Sequence, residues 1–149
     1  MRIIGCGNPE RMDDGAGVLV AQRLRALGVA AGIQSGEALA LIEAWRGADD
    51  VIVVDTVVAG APVGTVHLWD SQQSLPLVSS PASSHGLGVA EAIELARALG
   101  RLPQRLRVYG IEGVRFGFGS RLSPELCLAV EQVVQHLLTL DHRSKAEEA

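Results

Sequence analysis

The chain has 149 residues, a formal net charge of −4, 48% hydrophobic residues and only 3% aromatic ones. That length bounds a single domain, residues 1–149, burying roughly two-thirds of its unfolded surface, and the acidic balance argues against a nucleic-acid partner. Its two cysteines are too few for a disulfide framework or a cysteine-based zinc site. With so few aromatics the core must be built from Val, Leu, Ile and Ala, which suits a buried, largely parallel sheet. The first residues are too short an apolar run for a signal peptide, and no run nears the roughly 18 residues of a membrane span. The expectation is a soluble, cytoplasmic protein with no membrane partner.

Residues 2–5 form a short apolar strand that stops at Gly5-Cys6-Gly7, and Asn8-Pro9 follows as a turn dipeptide. Asp13 and Asp14 then stand before a helix expected over 15–27, which Gly28 closes, and either acid could cap it. Dinucleotide binding fits poorly: the third glycine of a G-x-G-x-x-G string would fall on Glu10, with two more acids beyond it. The acids favour a cation or electrophile instead, because a strand end followed by a helix start is where open α/β sheets bind ligands.

A weak strand is expected over 29–34, and a short helix over 38–46 ends at Gly47. Val51-Ile52-Val53-Val54 is a continuous β-branched run, as in a central strand covered on both faces. It delivers Asp55 to its carboxyl end. Another strand spans 65–69, and the nine-residue connection 56–64 is short for a crossover helix. Antiparallel pairing of these two strands, and so a mixed sheet, is expected.

The polar, proline-interrupted stretch 71–84 is the best place for a mobile loop, and His85 follows it at the start of a helix over 86–99. Val89, Ile93, Ala96 and Leu99 recur there at helical spacing. The last strand covers 105–111. Ser123-Pro124 reads as a cap and first helical position, opening a helix with Leu126, Val130, Val133, Val134, Leu137 and Leu138 on one face. Residues 141–149 are expected to fray. His67 within a strand, His136 on a helix and His142 in the tail are weaker functional candidates than His85.

Two carboxylates and one imidazole at strand ends or helix starts can converge on one crevice, and such oxygen and nitrogen donors suit a borderline first-row cation. The H-E-x-x-H spacing of zinc peptidases is absent, so spacing alone does not establish a metalloenzyme. Cys6 reads as a small apolar residue at the strand end and Cys127 as a helix-face residue.

The strings Gly5-Cys6-Gly7-Asn8 and Asp13-Asp14-Gly15-Ala16-Gly17 resemble the opening signature of the hydrogenase maturation endopeptidases, which process nickel–iron hydrogenase large subunits. Val51-Ile52-Val53-Val54-Asp55, Gly64-Thr65-Val66, Ser84-His85-Gly86-Leu87, Gly110-Ile111-Glu112 and Leu122-Ser123-Pro124 extend the resemblance in order over nearly the whole chain. It implies an α/β, three-layer αβα sandwich, phosphorylase/hydrolase-like, with a five-stranded, mixed, mostly parallel sheet. It also implies that Asp14, Asp55 and His85 bind nickel and are the catalytic set. The nickel would arrive with the substrate, a nickel–iron hydrogenase large-subunit precursor whose C-terminal extension is removed, and no organic cofactor is implied. Departures from the family pattern fall at Ser35-Gly36-Glu37, Thr56 and Gly113, around the expected cleft rim, where they bear on partner choice.

Two other functions remain open on the sequence. A non-catalytic checkpoint would bind the precursor's nickel site without cutting, and a cleavage assay separates it from a peptidase. Peptidyl-tRNA hydrolases share the strand and Gly-x-Gly-Asn-Pro, but the Thr-Arg-His-Asn string and basic surface of that class are missing here.

Overall fold

Val51 to Val54 are completely buried, so the strand that carries them lies at the middle of the sheet, with helices on both faces. In the computed structural model, which describes residues 1–72 and 88–148, strand β1 (Arg2–Cys6) leads through a 3₁₀ turn (Met12–Gly15) into helix α1 (Ala16–Ala26). Strand β2 (Gly32–Gln34), helix α2 (Ala38–Ala44), the central strand β3 (Asp50–Val57) and strand β4 (Val66–Asp70) follow. Helix α3 (Gly88–Leu99), strand β5 (Arg105–Glu112) and helix α4 (Pro124–Glu148) complete the order.

The strands lie in the order β2-β1-β3-β5-β4. All neighbours are parallel except β4, which runs antiparallel to β5 at one edge. Helices α1 and α4 cover one face through Val20, Leu24, Val130 and Leu137, which pack on Ile52 and Val54. On the other face α2 and α3 bring Leu41, Ile42, Trp45 and Ile93 against Val51 and Val53. Three layers result.

Gly17 sets the close seat of α1 on the sheet. A Cβ there would overlap the carbonyl oxygens of Cys6 and Val54, so only glycine lets the helix backbone approach two strands at once. That contact pins the start of α1 over the carboxyl ends of β1 and β3, where the acids are.

Four sequence expectations are corrected. Strand β4 does not pair with β3; β5 lies between them. Leu106, Val108 and Ile111 are buried, whereas β4 is only half-covered, so the more apolar strand takes the inner place and the connection 58–65 crosses its end. Neither Asp13 nor Asp14 caps α1, because the 3₁₀ turn feeds directly into it and its first position is capped by no side chain. Ser123 does precede α4, but its hydroxyl donates to Asp13 at 2.9 Å. Residues 141–148 are helical, not frayed: no Gly or Pro interrupts them, and Lys145 pairs with Asp141 one turn earlier at 3.0 Å. The loop expected over 71–84 falls, beyond Gln72, outside the described residues.

Candidate active site

Asp14 sits in the 3₁₀ turn, almost fully buried, with one carboxylate oxygen accepting the Asn8 backbone N–H at 2.8 Å. Asp55 lies within β3, two residues before the strand's end. It is half-buried, and its Oδ1 accepts the Thr56 N–H at 2.9 Å. Burial pushes the Asp55 carboxyl well above the usual carboxylate range, and the negative charge of Asp14 pushes it further. Two like charges thus share a poorly solvated corner at the carboxyl edge of the sheet, each with little hydrogen bonding to offset it. Cys6 lies within reach of the same field. Burial, then Asp55 and Asp14, raise its thiol well above the ordinary value, so it is a neutral packing residue there and not a nucleophile.

His85 lies outside the described residues. Helix α3 begins beside Asp55: Gly88 approaches the Asp55 carboxylate, whose Oδ2 would be 4.0 Å from a Cβ at that glycine. Among the described residues no group of three or more His, Cys, Asp and Glu side chains is placed to hold a metal ion. Asp14 and Asp55 are the two of the three expected site residues that the described structure brings together.

Asp13 is adjacent in sequence and opposite in circumstance. It is completely buried, yet four hydrogen bonds converge on its carboxylate. The Val114 and Arg115 N–H groups donate to Oδ2 at 2.9 and 2.8 Å, the Ser123 N–H to Oδ1 at 2.8 Å, and the Ser123 hydroxyl to Oδ2. Burial alone would raise its pKa, but these bonds outweigh it and hold the carboxyl below its ordinary value. Its own carbonyl accepts the Thr56 hydroxyl at 2.6 Å. Asp13 therefore fastens the β5–α4 loop to the turn that presents Asp14 and to the strand that presents Asp55. Sequence analysis missed this role, since its partners are 101 to 110 residues away.

A third buried acid, Glu112, steadies the opposite rim. Its Oε1 accepts the Ala59 N–H at 2.7 Å and hydrogen-bonds His67 Nε2 at 3.1 Å. His67 stacks on Trp69 with ring centroids 4.8 Å apart, which gives this weaker histidine a structural partner on each side. At the cleft-rim position 37, Glu37 caps α2 by accepting the Leu39 and Ala40 N–H groups at 3.2 and 3.1 Å.

The fold is an open α/β sheet, a class that commonly binds its ligands at the carboxyl edge of the strands, and the acid corner lies at that edge. The profile of the hydrogenase maturation protease family matches residues 29–140, and the chain belongs to that family. It is 29% identical to the hydrogenase expression/formation protein HupD of Thiocapsa roseopersicina, over 91% of this chain and 66% of HupD. It thus spans about two-thirds of the length of that curated relative. Among solved structures, the NiFe hydrogenase maturation protease HybD of Thermococcus kodakarensis superposes with a TM-score of 0.73 at 22% identity, covering 94% of this chain and 99% of that one. The hydrogenase maturating endopeptidase HybD of E. coli gives 0.74 at 21% identity, covering 97% and 94%. At those identities the two structures establish the shared fold. The described residues contain no helix long and apolar enough to cross a membrane.

Proposed function

We propose that this chain is an endopeptidase that removes the C-terminal extension of a nickel–iron hydrogenase large-subunit precursor after nickel insertion. One observation carries the reading furthest: Asp14 and Asp55 share a corner in which each is short of hydrogen bonds and one raises the other's pKa. Such a pair is costly to keep charged unless something positive completes it. A nickel ion held by the precursor's own ligands supplies that charge, and His85, three residues before Gly88, is the third donor proposed.

The metal is part of the substrate here. Binding it favours the ionised form of Asp55, so recognition releases the proton that burial retains. Holding the nickel site also fixes the tail that leaves it, converting a floppy segment into one positioned peptide bond. A carboxyl with a raised pKa holds its proton more readily than an ordinary aspartate, which suits it to exchange that proton with a reacting water or leaving amine. The activity is proposed as cytoplasmic hydrolysis needing no organic cofactor.

The test is to incubate the protein with nickel-loaded and nickel-free precursor and weigh the large subunit by mass spectrometry. The expected result is loss of a C-terminal fragment from the nickel-loaded form alone. Equal cleavage of both forms removes nickel from the account, and tight binding without any cleavage makes the chain a checkpoint.

A further inference from the structure

The β5–α4 loop that Asp13 fastens carries Arg115-Phe116-Gly117-Phe118-Gly119-Ser120-Arg121, which contains both phenylalanines of the chain. Phe116 turns inward, its ring tip near Gly113. Phe118 does the reverse. It is 84% exposed, and the Arg11 guanidinium lies over its ring at 4.6 Å from the centroid. An isolated exposed apolar residue needs no explanation, but this one is held in place from several directions.

Met12 N–H donates to the Gly119 carbonyl at 2.8 Å, Gly119 N–H to the Glu10 carbonyl at 2.8 Å, and Arg11 Nε to the Phe116 carbonyl at 3.1 Å. Met12 adopts a φ of 51°, a left-handed conformation that costs a non-glycine residue on the order of 1 kcal/mol. The surrounding bonds enforce it. The segment before Asp14 and the loop bearing Phe118 are therefore one rigid body, and an exposed aromatic in a fixed position loses little entropy on binding.

The neighbourhood is apolar and basic. Val114 is 61% exposed and Val58 40%, and the residues just before them are joined, the Gly113 N–H donating to the Val57 carbonyl at 3.0 Å. Arg115 and Arg121 are exposed, and among the described residues no carboxylate pairs with them or with Arg11. In a chain of net charge −4, this concentrates unpaired positive charge beside the acid corner.

We infer that Phe118, braced by Arg11 and carried on the loop that also bears the exposed Val114, Arg115 and Arg121, is the docking anchor for the precursor protein, received by an apolar pocket with carboxylates around it. The inference rests on the proposed function for the identity of the partner. Its support is that the same network fixes the anchor and holds Met12, two residues before Asp14, so the loop stands next to the turn where the proposed substrate would deliver its cation. Aromatic and arginine side chains dominate binding energy at interfaces, and the arginines should speed encounter with an acidic surface.

The experiment measures the affinity of the full chain for the nickel-loaded large-subunit precursors encoded in the same genome, with cleavage kinetics in parallel. Phe118→Ala should weaken binding at least tenfold and raise KM with kcat within twofold of the parent. The double variant Arg115→Glu/Arg121→Glu should weaken it similarly and flatten its dependence on salt. Both substitutions fall on exposed side chains, so thermal midpoints should stay put. If wild type binds but does not cut, and Phe118→Ala binds poorly, the docking anchor stands and the peptidase reading falls. If wild type binds no precursor, or both variants bind within twofold of it, the anchor is wrong whatever the cleavage assay shows.

Discussion

Asp13 and Asp55 lie in the same corner of the molecule and are treated in opposite ways. Asp13 is the more buried, yet four hydrogen bonds make its charge comfortable, and its pKa falls. Asp55 keeps some exposure as a residue, but burial of its carboxyl is answered by one such bond and made worse by a like charge, and its pKa rises. The first acid is committed to holding the loop at residues 113–123. The second, in the proposed function, is held ready for the nickel that the substrate brings. Burial therefore does not distinguish a structural acid from a functional one; the number of donors aimed at it does.

The largest effect should come from the open side of this contrast. Asp14→Asn keeps the volume and removes the charge, so processing of nickel-loaded precursor should fall below detection in an end-point gel assay, and His85→Ala should do the same. Retained activity in Asp14→Asn would remove that carboxylate from the site.

Next is the satisfied acid. Asp13→Ala strands one buried and two part-buried N–H groups and a buried hydroxyl, and should lower stability by about 3 kcal/mol, which is a fall in midpoint of roughly 6–12 °C for a domain of this size. Chemical denaturation that finds less than about 1 kcal/mol would mean that the loop does not depend on this latch.

The contrast also has a pH signature. The folded pKa of Asp13 is lowered, so the stability it contributes is present above the ordinary aspartate range and is lost as pH falls through its depressed value. The folded pKa of Asp55 is raised, so its charged form subtracts stability, absent at low pH and growing as pH rises through the raised value. Asp55→Asn should therefore gain on the parent as pH climbs from about 4 towards neutrality, read as a widening difference in midpoint. A constant difference would mean that Asp55 is not strained by its surroundings. The smallest effect belongs to His136, exposed on α4 and tilted against Tyr109; His136→Ala should change stability by no more than about 0.5 kcal/mol and leave processing intact.

Much of this arrangement was legible in the sequence, for local reasons. The β-branched run before Asp55, the glycines around Cys6 and the periodicity of α4 are signals carried by neighbours, and they marked the elements and two of the acids. Strand order was not local. The short connection showed that β4 turns back, but the insertion of β5 depends on which strand is more apolar across the whole sheet. The division of labour within Asp13-Asp14 was equally invisible, because it is decided by the Val114, Arg115 and Ser123 donors. The same distance hid Phe118, whose bracing by Arg11 joins residues far apart in the chain. Ser123 looked like a cap and was diverted to Asp13.

The central claim, that Asp55 is kept uncomfortable for the sake of the substrate, is tested most directly by the rate at which Asp55→Asn removes the tail of nickel-loaded precursor. The measurement is made on protein whose thermal midpoint has been recorded beside it. The account predicts no detectable removal from a variant at least as stable as the parent. Processing at the parental rate, or loss of activity only because the variant has unfolded, would contradict it.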